Sequence, residues 1–130
     1  MASYEDLDAF KACHQLALAV HTLTEGLDEI DPELSAQLWG AALIAPSRIA
    51  RGSAFRNRKM FWACVDRSLA ALYEIEYHLK MGYTMGLISQ EEHHHLESLR
   101  GRAVFYSVKL VMDLIAPPPP PPDPEDTAKA

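Results

Sequence analysis

From Phe61 to Leu79 the residues Phe61, Val65, Ser68, Leu72, Ile75 and Leu79 follow one another in unbroken steps of four and three. That spacing is the period of an α-helix burying one narrow stripe, and it is incompatible with a strand, whose side chains alternate every second residue. A helix with such a seam is stable only when the seam is covered, and the period points to other helices as the cover. The 130-residue chain shows no strand-like alternation elsewhere.

Three more helices can be read around this one. The first spans Leu7 to Leu27, with Phe10, Cys13, Ala17, Val20, Thr24 and Leu27 on its apolar stripe. Asp6 is expected to cap it, and Glu5, Asp6 and Asp8 sit where the positive end of the helix dipole favours acids. Asp31-Pro32 is an N-cap followed by proline at the first helical position, opening a second helix with Leu34, Leu38, Ala41, Ala45 and Ile49 inward. Pro46 predicts a kink there, and Gly52 a C-terminal stop. Asn57 is the expected cap of the Phe61–Leu79 helix, with Gly82 and Gly86 bracketing its end. Ser89-Gln90-Glu91-Glu92 is a capping box that starts the last helix. This helix carries Leu96, Leu99, Ala103, Tyr106 and Leu110 on one stripe and Val104, Val108, Val111 and Ile115 on another. Short connections between four such helices predict an all-α domain, an antiparallel up-and-down four-helix bundle over residues 1–116. Residues 117–130 begin with Pro117 to Pro122 and continue Asp123-Pro124-Glu125-Asp126, which predicts polyproline II running into disorder. Such a tail serves either as a solubilising terminus or as a docking strand for a proline-reading domain.

With 48% hydrophobic residues the chain can build a sizeable core. Cys13 and Cys64 both lie inside apolar helical patterns without metal-type or paired spacing, as expected of buried thiols in a reducing compartment. The acidic start, Met1 to Asp6, has no apolar signal-like region. The longest uncharged apolar run, Leu38 to Ser47, is far shorter than the ~20 residues of a membrane span. A cytoplasmic protein with no membrane partner is the expectation.

The three later helices carry more apolar surface than a lone bundle needs. Trp39, Leu43 and Ala50 lie off the core stripe of the second helix. Trp62, Tyr73 and Tyr77 fall within roughly 60° of one another off the third helix's seam, at 100° per residue. The last helix has its second valine stripe. Together these faces predict a homo-oligomer, with Trp39, Leu43, Trp62, Tyr73 and Tyr77 as interface anchors.

Charge is distributed as unevenly. The net charge is −6, yet Arg48 to Arg67 holds six basic residues and one acid, a local +5 that leaves −11 for the rest. Arg48 and Arg51 share a helix face, while Arg56, Arg58 and Lys59 crowd the next turn and helix start, where cations oppose the dipole. Two readings stand for this cluster. It is a phosphate or carboxylate site, binding nucleic acid through the backbone without reading sequence. Alternatively it is a solvated turn whose charges pair with acids of the same or a neighbouring subunit.

Other chemistry finds less support. Glu91/His94 and Glu92/His95 have the i, i+3 spacing of a carboxylate-bridged dimetal bundle, but no other helix supplies the matching motif. His14 and His21 fit a core edge or interface. Glu74 and Glu76 lie about 200° apart around a helix, so one of them is expected to pair with an arginine on a neighbour. No nucleophile elbow, phosphate loop or dinucleotide fingerprint occurs. The expectation is no catalytic residue, no metal and no cofactor.

Several segments resemble a known family. Asp6-Leu7 with Phe10 and His14 is similar to its opening pattern. Ala41-Ala42-Leu43-Ile44-Ala45-Pro46-Ser47-Arg48-Ile49-Ala50-Arg51-Gly52 resembles its motif of an apolar helix running into Pro-Ser-Asn-Ile-Ala-Glu-Gly. Leu69 to Glu76 and Met85 to Ser89 resemble two further motifs, in order and at the right spacing. The family is the bacterial four-helix bundle proteins first noted in intervening sequences of 23S ribosomal RNA genes, labelled S23. Arg48 and Arg51 stand where its motif has Asn and Glu, and Ala70-Ala71 where it has Gly-Ser. The resemblance implies a homopentameric ring. Most members have no known activity, and a related branch is the accessory protein of a retroelement reverse transcriptase, binding nucleic acid and the polymerase through a basic pentamer surface. The expected function is therefore a non-enzymatic homo-oligomeric scaffold or adaptor. The alternative is a nucleic-acid-binding accessory protein, with RNA, DNA or a nucleic-acid enzyme as partner, acting through residues 48–67.

Overall fold

The computed structural model describes residues 3–117 and 120–124; the polyproline and disorder expectations for 118–119 and 125–130 fall outside them. Four α-helices account for most of the described chain: α1 (Asp8–Leu27), α2 (Pro32–Ser53), α3 (Arg58–Thr84) and α4 (Gln90–Ile115). A single 3-10 turn, Tyr4–Asp6, precedes them, and no strand occurs among the described residues. Each helix packs against two others, α1 against α2 and α4, and α3 against α2 and α4.

Most helix ends are held by the residues the sequence nominates. Asp31 accepts from the Leu34 amide at 3.0 Å, with Pro32 directly behind it. Asn57 accepts from the Lys59 and Met60 amides, and Ser89 and Glu92 complete a capping box at the start of α4. Gly86 adopts φ +75, the left-handed conformation that closes a helix without a Cβ penalty. Two expectations are corrected. Asp6 does not cap α1; its carboxylate accepts from the Ser3 amide and closes the 3-10 turn, leaving Leu7 at the cap position without a side-chain bond. Gly52 does not stop α2, which runs on to Ser53. It is glycine because α3 comes close: a Cβ there would stand 2.7 Å from Phe61 Cδ1 and 2.8 Å from Cys64 Cβ. Helix α2 also continues through Pro46, which is buried.

The core follows the stripes. Val65, Ser68, Leu72, Ile75 and Leu79 of α3 are fully buried, together with Leu38, Ala45 and Ile49 of α2, Cys13, Leu16 and Val20 of α1, and Ala103 of α4. Buried hydroxyls are satisfied within the core: Ser68 Oγ donates to the Ala45 carbonyl at 2.7 Å, and Ser107 Oγ lies 3.8 Å from Cys13 Sγ. Burial pushes the Cys13 thiol pKa up from 9.0 to about 11.

Two measurements check this packing. Leu72→Ala removes a fully buried side chain at the centre of the seam and should cost about 2–5 kcal/mol in a denaturant titration; a loss under about 0.5 kcal/mol would mean the wrong face is buried. The unfolded chain releases the Cys13 proton above pH 9 while the folded one holds it until about pH 11. Stability should therefore fall across that window relative to Cys13→Ala, by up to about 2–3 kcal/mol at 1.36 kcal/mol per pKa unit. Parallel pH curves for the two proteins would contradict it.

Candidate functional site

The basic segment folds into an arrangement that divides its arginines. Arg48 and Arg51 project from the last two turns of α2, and Arg67 from the third turn of α3. With Phe55, Met60, Ala63 and Cys64 they line an open groove of about 380 Å³ between the two helices. Among the described residues none of these three arginines forms an ion pair. Three unpaired guanidiniums around a partly apolar floor form a surface suited to a phosphate or carboxylate.

Arg58 has a different task. Its guanidinium donates to the main-chain carbonyls of Asp113, Leu114 and Ala116, the last carbonyls of α4. A cation at a helix C-terminus satisfies orphan acceptors and matches the negative end of the dipole. The unfavourable placement of Arg58 at the start of α3 is thereby offset at the end of α4. Arg56 and Lys59 are exposed on the turn and first turn of α3 and do not line the groove. Arg67 and Cys64 are groove residues that sequence reasoning left out of the convergent set. Their i, i+3 spacing on α3, facing Arg48 and Arg51, was the available signal.

A second charged cluster joins α3 to α4. Arg100, buried, donates from Nε and a terminal nitrogen to Glu97, both at 2.9 Å, and reaches Glu76 at 2.7 Å. Hydrogen bonding to Glu97 and the nearby negative charges hold its pKa above the ordinary value, against the opposing effect of burial. Glu76 is thus the acid that pairs with an arginine on a neighbouring helix, and the cluster is structural.

The apolar candidates lie on the surface. Tyr73 and Tyr77 are 56% and 58% exposed, Leu43 46% and Trp62 37%. Trp39 is half-buried with its ring 5.0 Å from that of His21. On α4, Phe105, Val108, Met112 and Ile115 are exposed at steps of three, four and three, a second seam beside the buried one. His93 stacks on Tyr83 with ring centres 5.0 Å apart. No group of His, Cys, Asp or Glu among the described residues is arranged to hold a metal ion, and no described helix is long and apolar enough to cross a membrane.

These features define a four-helix bundle with one basic groove and several uncovered apolar faces. The chain belongs to the family of 23S rRNA-intervening sequence proteins, which it matches over residues 5–102. Its fold is similar to the crystal structure of a protein of unknown function from the S23 ribosomal protein family of Bacteroides thetaiotaomicron VPI-5482. The TM-score is 0.70 at 17% identity, covering 83% of this chain and 99% of that one. No curated protein matches.

The Arg58 contacts are checked by hydrogen exchange. Arg58→Ala should speed exchange of the Met112–Ile115 amides severalfold, while Arg56→Ala leaves them unchanged. Equal protection in both variants would remove the capping role.

Proposed function

We propose that this chain is a non-enzymatic helical scaffold that works as a homo-oligomer in the cytoplasm. The observation carrying this reading is where the large side chains are. The core is built from Leu, Ile, Val and many alanines, while none of the Phe, Trp or Tyr residues is buried. Aromatic side chains bring the largest apolar area to a contact, and with Trp62, Tyr73, Tyr77, Tyr83 and Phe105 exposed while Phe10, Trp39 and Tyr106 only edge the core, much of that area lies outside the core. An antiparallel up-and-down course is supported by the start of α3 lying beside the ends of α2 and α4. Light scattering at micromolar concentration should give about five times the 14.5 kDa chain mass, the ring size the family resemblance implies. A single species of one chain mass would contradict the scaffold reading. Tyr73→Glu/Tyr77→Glu, which places charge on the exposed α3 face without touching the core, should lower the mass.

A second reading has its own observation, the convergence of Arg48, Arg51 and Arg67 without acidic partners among the described residues. The groove then binds the phosphates of a nucleic acid, and a ring repeats it so that modest sites act together. Anisotropy of a labelled single-stranded oligonucleotide should show binding that weakens steeply with salt as counterion release is lost. It should fall at least tenfold in Arg48→Ala/Arg51→Ala/Arg67→Ala. Binding that ignores salt, or survives the triple variant, would return the groove to a solvated surface.

A further inference from the structure

We infer that copies of the chain meet head to tail, the Arg48–Arg51–Arg67 groove of one subunit receiving the outer α3/α4 face of the next, with Asp66 of that neighbour set among the guanidiniums. The inference rests on the scaffold reading and names the two surfaces that join.

Charge is the first argument. Three guanidiniums line the groove, and none forms an ion pair among the described residues. Asp66, the single acid between Arg48 and Arg67, is exposed and also forms no ion pair there. It does not line the groove of its own subunit. At 100° per residue it falls with Trp62 and Tyr73 within roughly 40°, on the flank of α3 turned away from α2. Phe105 and Met112, seven residues apart on α4 and each 62% exposed, continue the apolar surface around it. Height is the second argument. The Ser68 bond to Ala45 and the approach of Gly52 to Phe61 and Cys64 fix α2 against α3. Counted along the two antiparallel helices from those contacts, Arg48 is level with Val65 and Asp66, and Arg51 with Trp62. Arg58 on the carbonyls of Asp113, Leu114 and Ala116, and Arg100 on Glu76, fix α3 against α4 and bring Met112 level with Trp62. In a ring whose helices run along its axis, neighbours meet at equal height. Asp66 then faces Arg48 and Arg67 of the next copy, while Trp62 and Met112 face its groove floor of Phe55, Met60 and Ala63. Closure is the third. Helix α3 packs against α2 and α4 and not against α1, so the two surfaces are adjacent sides of the bundle. Sides about 90° apart turn each successive copy and close a ring of four or five, whereas opposite sides would extend a filament.

Charge reversal tests the inference, read by light scattering of the full chain at micromolar concentration and low salt. Asp66→Arg alone and Arg48→Glu/Arg67→Glu alone should each lower the wild-type mass at least about twofold, because like charges then face each other across the contact. Mixed in equal amounts, the two variants should form a species of at least two chain masses that holds both chains, since the intact acid of one meets the intact groove of the other. Glu29→Arg, an equal change of charge at the far end of the bundle, should keep the wild-type mass. A wild type of one chain mass would overturn this inference together with the scaffold reading. A multimer that neither reversal alters, or that Glu29→Arg alters equally, would overturn this inference and leave the scaffold. Two dissociated variants that stay apart on mixing would do the same. Oligonucleotide binding by the assembled wild type that is lost in Arg48→Ala/Arg51→Ala/Arg67→Ala would show the groove open in the multimer, and would make nucleic acid its occupant instead.

Discussion

The contact between α2 and α3 depends on one buried hydrogen bond and one missing side chain. Ser68 Oγ donates to the Ala45 carbonyl at 2.7 Å inside the core, and Gly52, seven residues further along α2, lets Phe61 and Cys64 approach where a Cβ would collide. A polar group fully removed from water must find a partner, so Ser68 fixes the register of the two helices as firmly as the leucines beside it. The basic groove is a consequence of that register. Arg48 and Arg51 lie between Ala45 and Gly52, and Cys64 and Arg67 lie on the stretch of α3 that Gly52 and Ala45 hold in place.

The same close approach explains the character of the surface. Helices that meet through alanine, serine and glycine have little room between them for rings. Ala9, Ala12, Ala17, Ala41, Ala42, Ala45, Ala71 and Ala103 fill positions where a bulkier core would carry leucine or phenylalanine. Trp62, Tyr73, Tyr77, Tyr83 and Phe105 stand outside, on α3 and α4, while Trp39 and Tyr106 pack partly against the core. A bundle built this way gains less from its own core than its composition permits, and recovers the remainder only when another surface covers those faces.

Much of the fold was legible in the sequence. The stripes read on α1, α2 and α3 name many of the buried residues, because a periodic stripe and a set of caps are local properties; Leu16, Ala42 and Ala71 are buried outside those stripes, and Phe10 and Phe61 on them are only half-buried. Asp31, Asn57 and Ser89 cap the helices as their chemistry requires. The misreadings are of another kind. Gly52 has the look of a helix stop, yet its reason is the ring of Phe61 on the next helix; Asp6 has the look of a cap, yet Ser3 claims it. Arg58 sits among cations in the sequence and among the carbonyls of α4 in space, some 55 residues away. Each depends on a partner distant in the chain or on competition between two local motifs, which spacing alone does not reveal. The candidate groove was half legible: the excess of charge on 48–67 was plain, while the choice of Arg67 over Arg58 required the packing of α3 between α2 and α4.

The central claim is that the outward aromatic faces are covered by another copy of the chain. Trp62 tests it most directly, since it is exposed in the single subunit and lies on the proposed interface. In a Trp39→Phe background, acrylamide quenching of Trp62 fluorescence should be weak at micromolar concentration and should rise toward that of a solvated indole on dilution. Quenching that is strong at every concentration would show the face to be open to water and would contradict the account.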